Sequence, residues 1–445
     1  MGLIDSLRKA DKKGLFKSAD SFASYSTGFL PLDYANGFIY NHLNEKGMIE
    51  SQEILGIMGG TFTTFIGYTS TGKTTLADQI AFNIISPFPN GLMIHCDIEK
   101  TTMYERILQV TGAKEDDPRI ILNKDHVAIE DVLEMIDDIC RTKDELDDEC
   151  KYELPPEFNK NGKPVKVFEP TVIILDSLAA FNSRDVKDAV LEGQMSTNRE
   201  VGQISQFYTK CLNKMSHYNI NIFSINHIKS KVDINPYQAS PQQVMMLRPG
   251  EYLPRGFAPI YYAQNIFRTN STKSNIYTME DNGFTGFKCA VQVVKSKTSF
   301  IGSTVNLCFN SRIGFDPIYT LYESAEQMGL IEGRNPNLYF KGLDHYKFNR
   351  KRFRDKFIEE RAFRMAVLDT MQPYFTAMLG VKNGDVDTTS YITISDLNKG
   401  NRDEEYVGPI LASVEVDKAK AAQDALKADA PKTGRKTEAN AAKDE

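Results

Sequence analysis

What this chain lacks narrows its possibilities before any motif is read. Its six cysteines, Cys96, Cys140, Cys150, Cys211, Cys289 and Cys308, form no CxxC pair and no Cys/His cluster, which leaves no zinc site and suits a reducing interior. No apolar run approaches the length of a membrane span. The opening MGLIDSLRKADKK lacks the apolar core of a signal peptide, and its match to the myristoylation pattern through Gly2 and Ser6 is too short to carry weight. Net positive charge is also missing: the formal value is -6, which excludes a uniformly basic nucleic-acid binder but not a local basic groove. These absences predict a soluble protein of the cytoplasm. What is present, 445 residues of which 41% are hydrophobic, suffices for a full core in one large domain with smaller attachments.

The stretch Thr61 to Leu76, TFTTFIGYTSTGKTTL, joins a β-rich apolar run to a helical pattern through a glycine loop. From Gly67 to Thr74 it fits the P-loop form GxxxxGK[ST]. Gly67 and Gly72 let Tyr68, Thr69, Ser70 and Thr71 curl so that backbone N–H groups point inward at a phosphate, and the helix that begins with Lys73, Thr74 and Thr75 adds its positive end. Lys73 is expected to reach the β/γ-phosphates and Thr74 to offer its hydroxyl to Mg²⁺. A chance turn rich in Gly and Thr is the plain alternative, and the flanking strand and helix argue against it.

From Ile54 onward the pattern alternates: strand, loop, helix at 73, strand Leu92–Asp97, helix 101–109, short strand 120–122, helix 129–140. Such alternation predicts a mainly parallel sheet with helices on both faces. Residues 141–170 are charged and interrupted by Pro and Gly, and read as a solvated surface excursion. The strand TVIILDS then ends on Asp176, a position that can hold Mg²⁺ directly or through water; a simple cap is the alternative. INIFSINHI, Ile220 to Ile228, ends on Asn226 and His227, which could sense a γ-phosphate or be an ordinary satisfied pair. A polar loop spans 183–196, and a long one over 229–255 mixes cations with tyrosines, as surfaces that contact nucleic-acid backbones do. Three more strands are expected near 263–268, 287–294 and 304–309.

At the N-terminus a short amphipathic helix over 3–13 precedes an FxxA spacing, Phe16 and Ala19, which either adds to a neighbouring subunit's sheet edge or packs on its own core. After Asp316 the composition shifts to a small lobe with helices near 320–329 and 355–372. Its run HYKFNRKRFRDKF either captures nucleic acid or is a helix with Phe353 and Phe357 turned inward. From about Val416 the Ala/Lys/Asp-rich tail is expected to be disordered.

Taken together, these signals resemble the RecA/RadA strand-exchange recombinases, most closely the UvsX recombinase type of T4-like phages, from about Ser26 to Leu330. Ser26-Thr27-Gly28 with Leu32-Asp33 resembles the segment before the family's P-loop. Asp97-Ile98-Glu99 is similar to its strand-end DxE, which implies that Glu99 activates or positions the attacking water. Tyr104 and Arg106 lie in a stretch similar to the one that packs on adenine. Asn226-His227 fits the phage pattern and departs from the Asn-Gln of bacterial RecA. Lys295 and Lys297 resemble a lysine pair that reaches a neighbour's γ-phosphate, where such cations stabilise developing charge.

The two loops correspond to the family's DNA-facing loops, which makes Arg184, Lys187, Lys229, Lys231, Arg248 and Arg255 the expected DNA contacts. The resemblance implies an α/β fold with a RecA-like P-loop core over 49–316, an N-terminal helix and polymerisation linker over 1–48, and a small α+β lobe over 317–412 before a tail over 413–445. It implies ATP and Mg²⁺ as cofactors. Single-stranded DNA and homologous duplex DNA, copies of the chain in a helical filament, and single-strand-binding and mediator proteins are the implied partners. In a phage-encoded chain the location would be the host cytoplasm. Two rivals stay open: a hexameric replicative helicase on the same core, against which only about fifty residues precede the sheet, and an ATP-binding filament mediator without strand-exchange activity.

Overall fold

A computed structural model of the chain describes residues 23–43, 49–158, 164–184, 197–230, 246–277, 286–299 and 301–383. Runs such as TVIILD and FTTFIG are apolar or small on both faces, so they are stable only with packing above and below, and every residue of both is buried. They lie inside one sheet whose strands, in chain order, are β1 Phe62–Gly67, β2 Leu92–Asp97, β3 Ile120–Asn123, β4 Thr171–Asp176, β5 Ile220–His227, β6 Asn265–Tyr277, β7 Gly286–Ser296, β8 Thr304–Asn310 and β9 Gly314–Asp316. Their spatial order is β9-β8-β7-β6-β1-β5-β4-β2-β3. From β6 to β3 neighbours are parallel; β7, β8 and β9 extend the sheet antiparallel. The fold is therefore mixed α/β with a large, mostly parallel central sheet flanked by helices. The expected three late strands are present, joined by β9.

The helices are α1 Leu30–Ala35, α2 Lys73–Ile85, α3 Tyr104–Thr111, α4 Ile129–Leu146, α5 Thr197–Tyr218, α6 Ala258–Tyr262, α7 Pro317–Gln327, α8 Phe353–Glu359 and α9 Arg361–Asn383. The period-two alternation of β4 divides the core. Val172 and Ile174 face Leu76, Ala77 and Ile80 of α2, whereas Ile173 and Leu175 face Val132 and Ile136 of α4 and Ile204 and Phe207 of α5. No helix among the described residues is long and apolar enough to cross a membrane.

Register decides which residues share an edge. Asp176 pairs with Asp97, while His227 and Thr269 both pair with Gly67, so the carboxyl ends of the parallel strands converge at the 67–74 loop. Ser296 pairs with Asn265, which pairs with Thr63, so β7 ends at the opposite edge.

Two stretches depart from expectation. The helix expected over 129–140 runs on to Leu146, and the excursion expected to be solvated is in part packed. Lys143 is buried and donates to the carbonyls of Glu169 and Tyr218 at 2.8 Å each, and Lys151–Glu153 pairs with Lys166–Phe168 in a hairpin that buries Cys150, Leu154 and Phe168. The charge run hid these few apolar anchors. Ahead of the central sheet, Phe38–Leu43 pairs antiparallel with Ile49–Ile54, strands that the alternation beginning at Ile54 did not include. The lobe's later helix is α8 followed by α9, which together bury Phe353, Phe357, Phe363 and Val367. The N-terminal helix, Phe16, Ala19, the tail, Lys187, Lys231 and most of the 183–196 loop lie outside the described residues.

Candidate functional site

The loop between β1 and α2 is shaped by close approaches. A Cβ on Gly67 would meet the Thr269 hydroxyl at 2.3 Å, and Gly72 holds φ +84° with Phe315 2.8 Å from where its Cβ would be. Only glycine meets both demands at Gly72. Ser70 also takes positive φ, at 60°. Thr71 Oγ1 lies 2.7 Å from Thr269 Oγ1 and donates to the Tyr68 carbonyl at 2.9 Å, while Thr69 and Ser70 are exposed. Thr75 is half-buried at the start of α2.

Lys73 bends back into the loop and donates to the Tyr68 carbonyl at 2.7 Å. Burial pulls its ammonium down to about 8 against the opposing attraction of Asp176, Cys289 and Glu99. Thr74 Oγ1 donates to Asp176 Oδ2 at 2.7 Å. Burial raises the Asp176 carboxyl, and the Thr74 hydroxyl partly offsets this. Glu99, just past β2, is exposed and accepts from Ser177 Oγ at 2.5 Å; His227 Nε2 lies 3.8 Å from the same oxygen. Burial and then Lys73 hold the His227 ring below its ordinary value. Its Nδ1, like Asn226 Oδ1, is buried with no hydrogen-bond partner among the described residues. Asp97 is spent on the chain turn, accepting from the backbone of Thr101 and Thr102 at 3.1 and 2.8 Å. Gly67 to Thr75, Glu99, Asp176 and His227 thus come together at one edge, as a primary amine, a hydroxyl, two carboxylates and an imidazole around a helix N-terminus.

The other expected residues lie elsewhere. Lys295 is tied to the carbonyls of Ile260 and Tyr261 at 2.5 and 3.1 Å, and burial and Lys297 lower it to about 8; Lys297 is exposed beside it. Both belong to the far edge and do not reach their own chain's loop. Tyr104 packs against the α2-side core, and Arg106 donates to the carbonyls of Ser311 and Arg312 at 3.0 and 3.2 Å. Arg184 pairs with Asp131 and Glu134, and Arg255 donates to the Leu178 and Ala179 carbonyls. Lys229 and Arg248 are exposed. Residues Lys229–Ser230 pair with Glu251–Tyr252, closing the base of the long second loop.

Several residues of this edge went unmarked in the sequence. Tyr68 Oη donates to Glu251 Oε1 at 2.7 Å, and Glu251 is gripped by both arms of the Arg268 guanidinium at 2.8 Å. Burial would raise Glu251, but Arg268 outweighs it and the carboxyl falls to about 2. His95 on β2 and Asp78 on α2 form a buried pair behind Asp176, Nδ1 to Oδ1, at 2.7 Å. Burial opposes charge on His95, but Asp78, and after it Asp176 and Asp97, raise it above its ordinary value. A polar residue at an inward position of an otherwise apolar strand was the available signal. Among the described residues no group of three or more His, Cys, Asp and Glu side chains is placed to hold a metal ion. Compared with known proteins, the chain matches no family model and no curated relative.

Proposed function

We propose that this chain is an ATP-dependent DNA recombinase with a RecA-like P-loop core, which assembles as a helical filament on single-stranded DNA and pairs it with a homologous duplex. The observation that carries the reading is the split site: Lys73, Thr74, Glu99, Asp176 and His227 meet at one edge of the sheet, and Lys295 and Lys297 stand at the other. Such a division supports completion of each site by the next subunit.

In this reading the Lys73 ammonium exchanges the Tyr68 carbonyl for phosphate oxygens. Thr74 Oγ1 and Asp176 Oδ2 are hard oxygen donors that fit Mg²⁺ and would hold it directly or through water. The ion, when bound, neutralises phosphate charge. Glu99, steadied by Ser177 and close to His227, orients the attacking water and accepts its proton. Lys295 and Lys297 of a neighbour stabilise the charge that develops, so hydrolysis requires assembly. The exposed edge strand β3, beside an apolar cavity of about 550 Å³ under α4, is where an extended segment from another copy would add.

The test is a D-loop assay with ATP and single-stranded DNA, paired with electron microscopy. The expected result is ATP-dependent joint molecules and open filaments. Closed rings that translocate without joint molecules would replace the reading with a helicase, and filaments that never pair DNA would replace it with a mediator.

A further inference from the structure

Two side-chain ties from the loop over 67–74 end on neighbouring residues of β6. Thr71 Oγ1 lies 2.7 Å from the hydroxyl of Thr269, and Tyr68 Oη donates at 2.7 Å to Glu251, whose two oxygens are forked by Arg268. Lys73 and Thr71 also donate to the Tyr68 carbonyl, at 2.7 and 2.9 Å, but those bonds shape the loop without fixing it to anything outside. Glu251 is buried and accepts from Tyr68, from both arms of Arg268 and from the backbone N–H of Arg248 at 2.8 Å. Against the cost of burial, Arg268 holds its carboxyl at about 2, so it stays ionised and only accepts. A buried ion pair adds little net stability over apolar residues of similar volume. What this one supplies is a fixed oxygen aimed at a tyrosine that packing leaves 39% exposed.

Resting on the reading that this loop cradles phosphates, we infer that Glu251, braced by Arg268, is a positioning residue for the phosphate loop and acts through the Tyr68 hydroxyl. An anion cradle aims several backbone N–H groups at one point, an arrangement that is unfavourable until an anion is there. Ser70 adds the strain of positive φ, at 60°. Ties to the body of the protein hold that shape beforehand, so that less ordering of the loop opposes binding. Tyr68 is tied where the chain enters the turn, and Thr71 where it leaves. Glu251 touches no phosphate in this scheme; it sets where Tyr68, and with it the backbone from Tyr68 to Thr71, stands.

The test is isothermal titration calorimetry on the full chain in Mg²⁺, with adenylyl imidodiphosphate and inorganic tripolyphosphate as probes. Tyr68→Phe, which keeps the ring and removes the bond, is expected to weaken both probes about tenfold, the scale of one hydrogen bond to a charged acceptor. Equal loss for the two probes places the effect on the phosphates rather than on the base. The double variant Glu251→Leu with Arg268→Met replaces the ion pair by apolar side chains and should fold. It is expected to show the same loss, and adding Tyr68→Phe to it should weaken binding no further. A merely structural clasp would lower the unfolding midpoint while the folded variants kept wild-type affinity for both probes, and that result overturns the inference alone. Additive losses in the triple variant would show Tyr68 acting without Glu251 and overturn it as well. If the double variant does not fold, Arg268→Lys, which leaves Glu251 a cation without the fork that aims it, should lose about threefold, and wild-type affinity there overturns the inference. Failure of the wild-type chain to bind either probe would overturn the nucleotide reading itself and the inference with it.

Discussion

In the lobe after Asp316, Phe348, Phe353, Phe357 and Phe363 turn inward beside Tyr322 and Phe340, while Arg350 closes on Glu326 and Arg354 on Asp316. At the carboxyl edge of the parallel strands, by contrast, Lys73 folds back onto a loop carbonyl, and His95, Asn226 and His227 bury polar atoms that have no partner among the described residues. Aromatic, basic and acidic groups are matched with one another in the first region; in the second some are matched too, as in the Tyr68–Glu251–Arg268 clasp, and the atoms left short are those of imidazoles and an amide. Matching is what stability alone selects. Buried polar groups without protein partners lower stability unless water or another group meets them, and they are not confined to this edge, since Asn36, Asn219 and Asn221 bury such atoms too. In the run over 345–357 inward packing accounts for the phenylalanines, while Lys347, Lys351 and Arg352 stay exposed.

Four experiments would break or sharpen this contrast. On the proposed reading, Glu99→Gln should lower ATP turnover about a thousandfold while nucleotide-dependent DNA binding survives, because the proposed base is lost and the cradle kept. Equal loss of both activities would remove Glu99 from its role. In the lobe the same scale of energy should appear as stability: Phe353→Ala is expected to cost about 4 kcal/mol in denaturant unfolding, with nucleotide affinity of the folded protein unchanged. A drop in that affinity would join the two regions.

Lys143 offers a third, pH-dependent check. Its folded value of about 8 lies below the ordinary 10.5, so the unfolded chain binds more protons between those limits and stability rises as pH climbs through them. The gain should reach at most about 3 kcal/mol and be absent in Lys143→Met. A flat wild-type profile from pH 8 upward would show the ammonium to be better solvated than its two carbonyl partners imply. Lys351→Ala, on the lobe's exposed surface, should change stability by less than about 0.5 kcal/mol, and a larger loss would mean that the lobe's cations are not spare.

Much of the central sheet was legible because buried strands advertise themselves as short apolar runs: TVIILD, INIFSINH and FTTFIG each lie where the pattern put them. The 67–74 loop was legible because its two glycines, lysine and threonine keep a fixed local spacing. The packing of the 141–170 stretch was not, since its few anchors, Lys143, Cys150, Leu154 and Phe168, are scattered among charges. Nor was the Tyr68–Glu251–Arg268 clasp, whose members are separated by 183 and 17 residues.

By itself, then, the sequence determined the local elements: which runs are strands, where the glycine loop lies, and which side chains carry charge or a hydroxyl beside it. These depend on neighbours a few positions apart, through backbone conformation and alternation of faces. Only the tertiary structure decided that Asp176 meets Thr74, that Glu99 meets Ser177 and approaches His227, that His95 stands behind Asp176, and that Lys295 and Lys297 belong to the opposite edge. Strand order and register set those meetings, and they arise from packing between residues far apart in the chain, which no local pattern records.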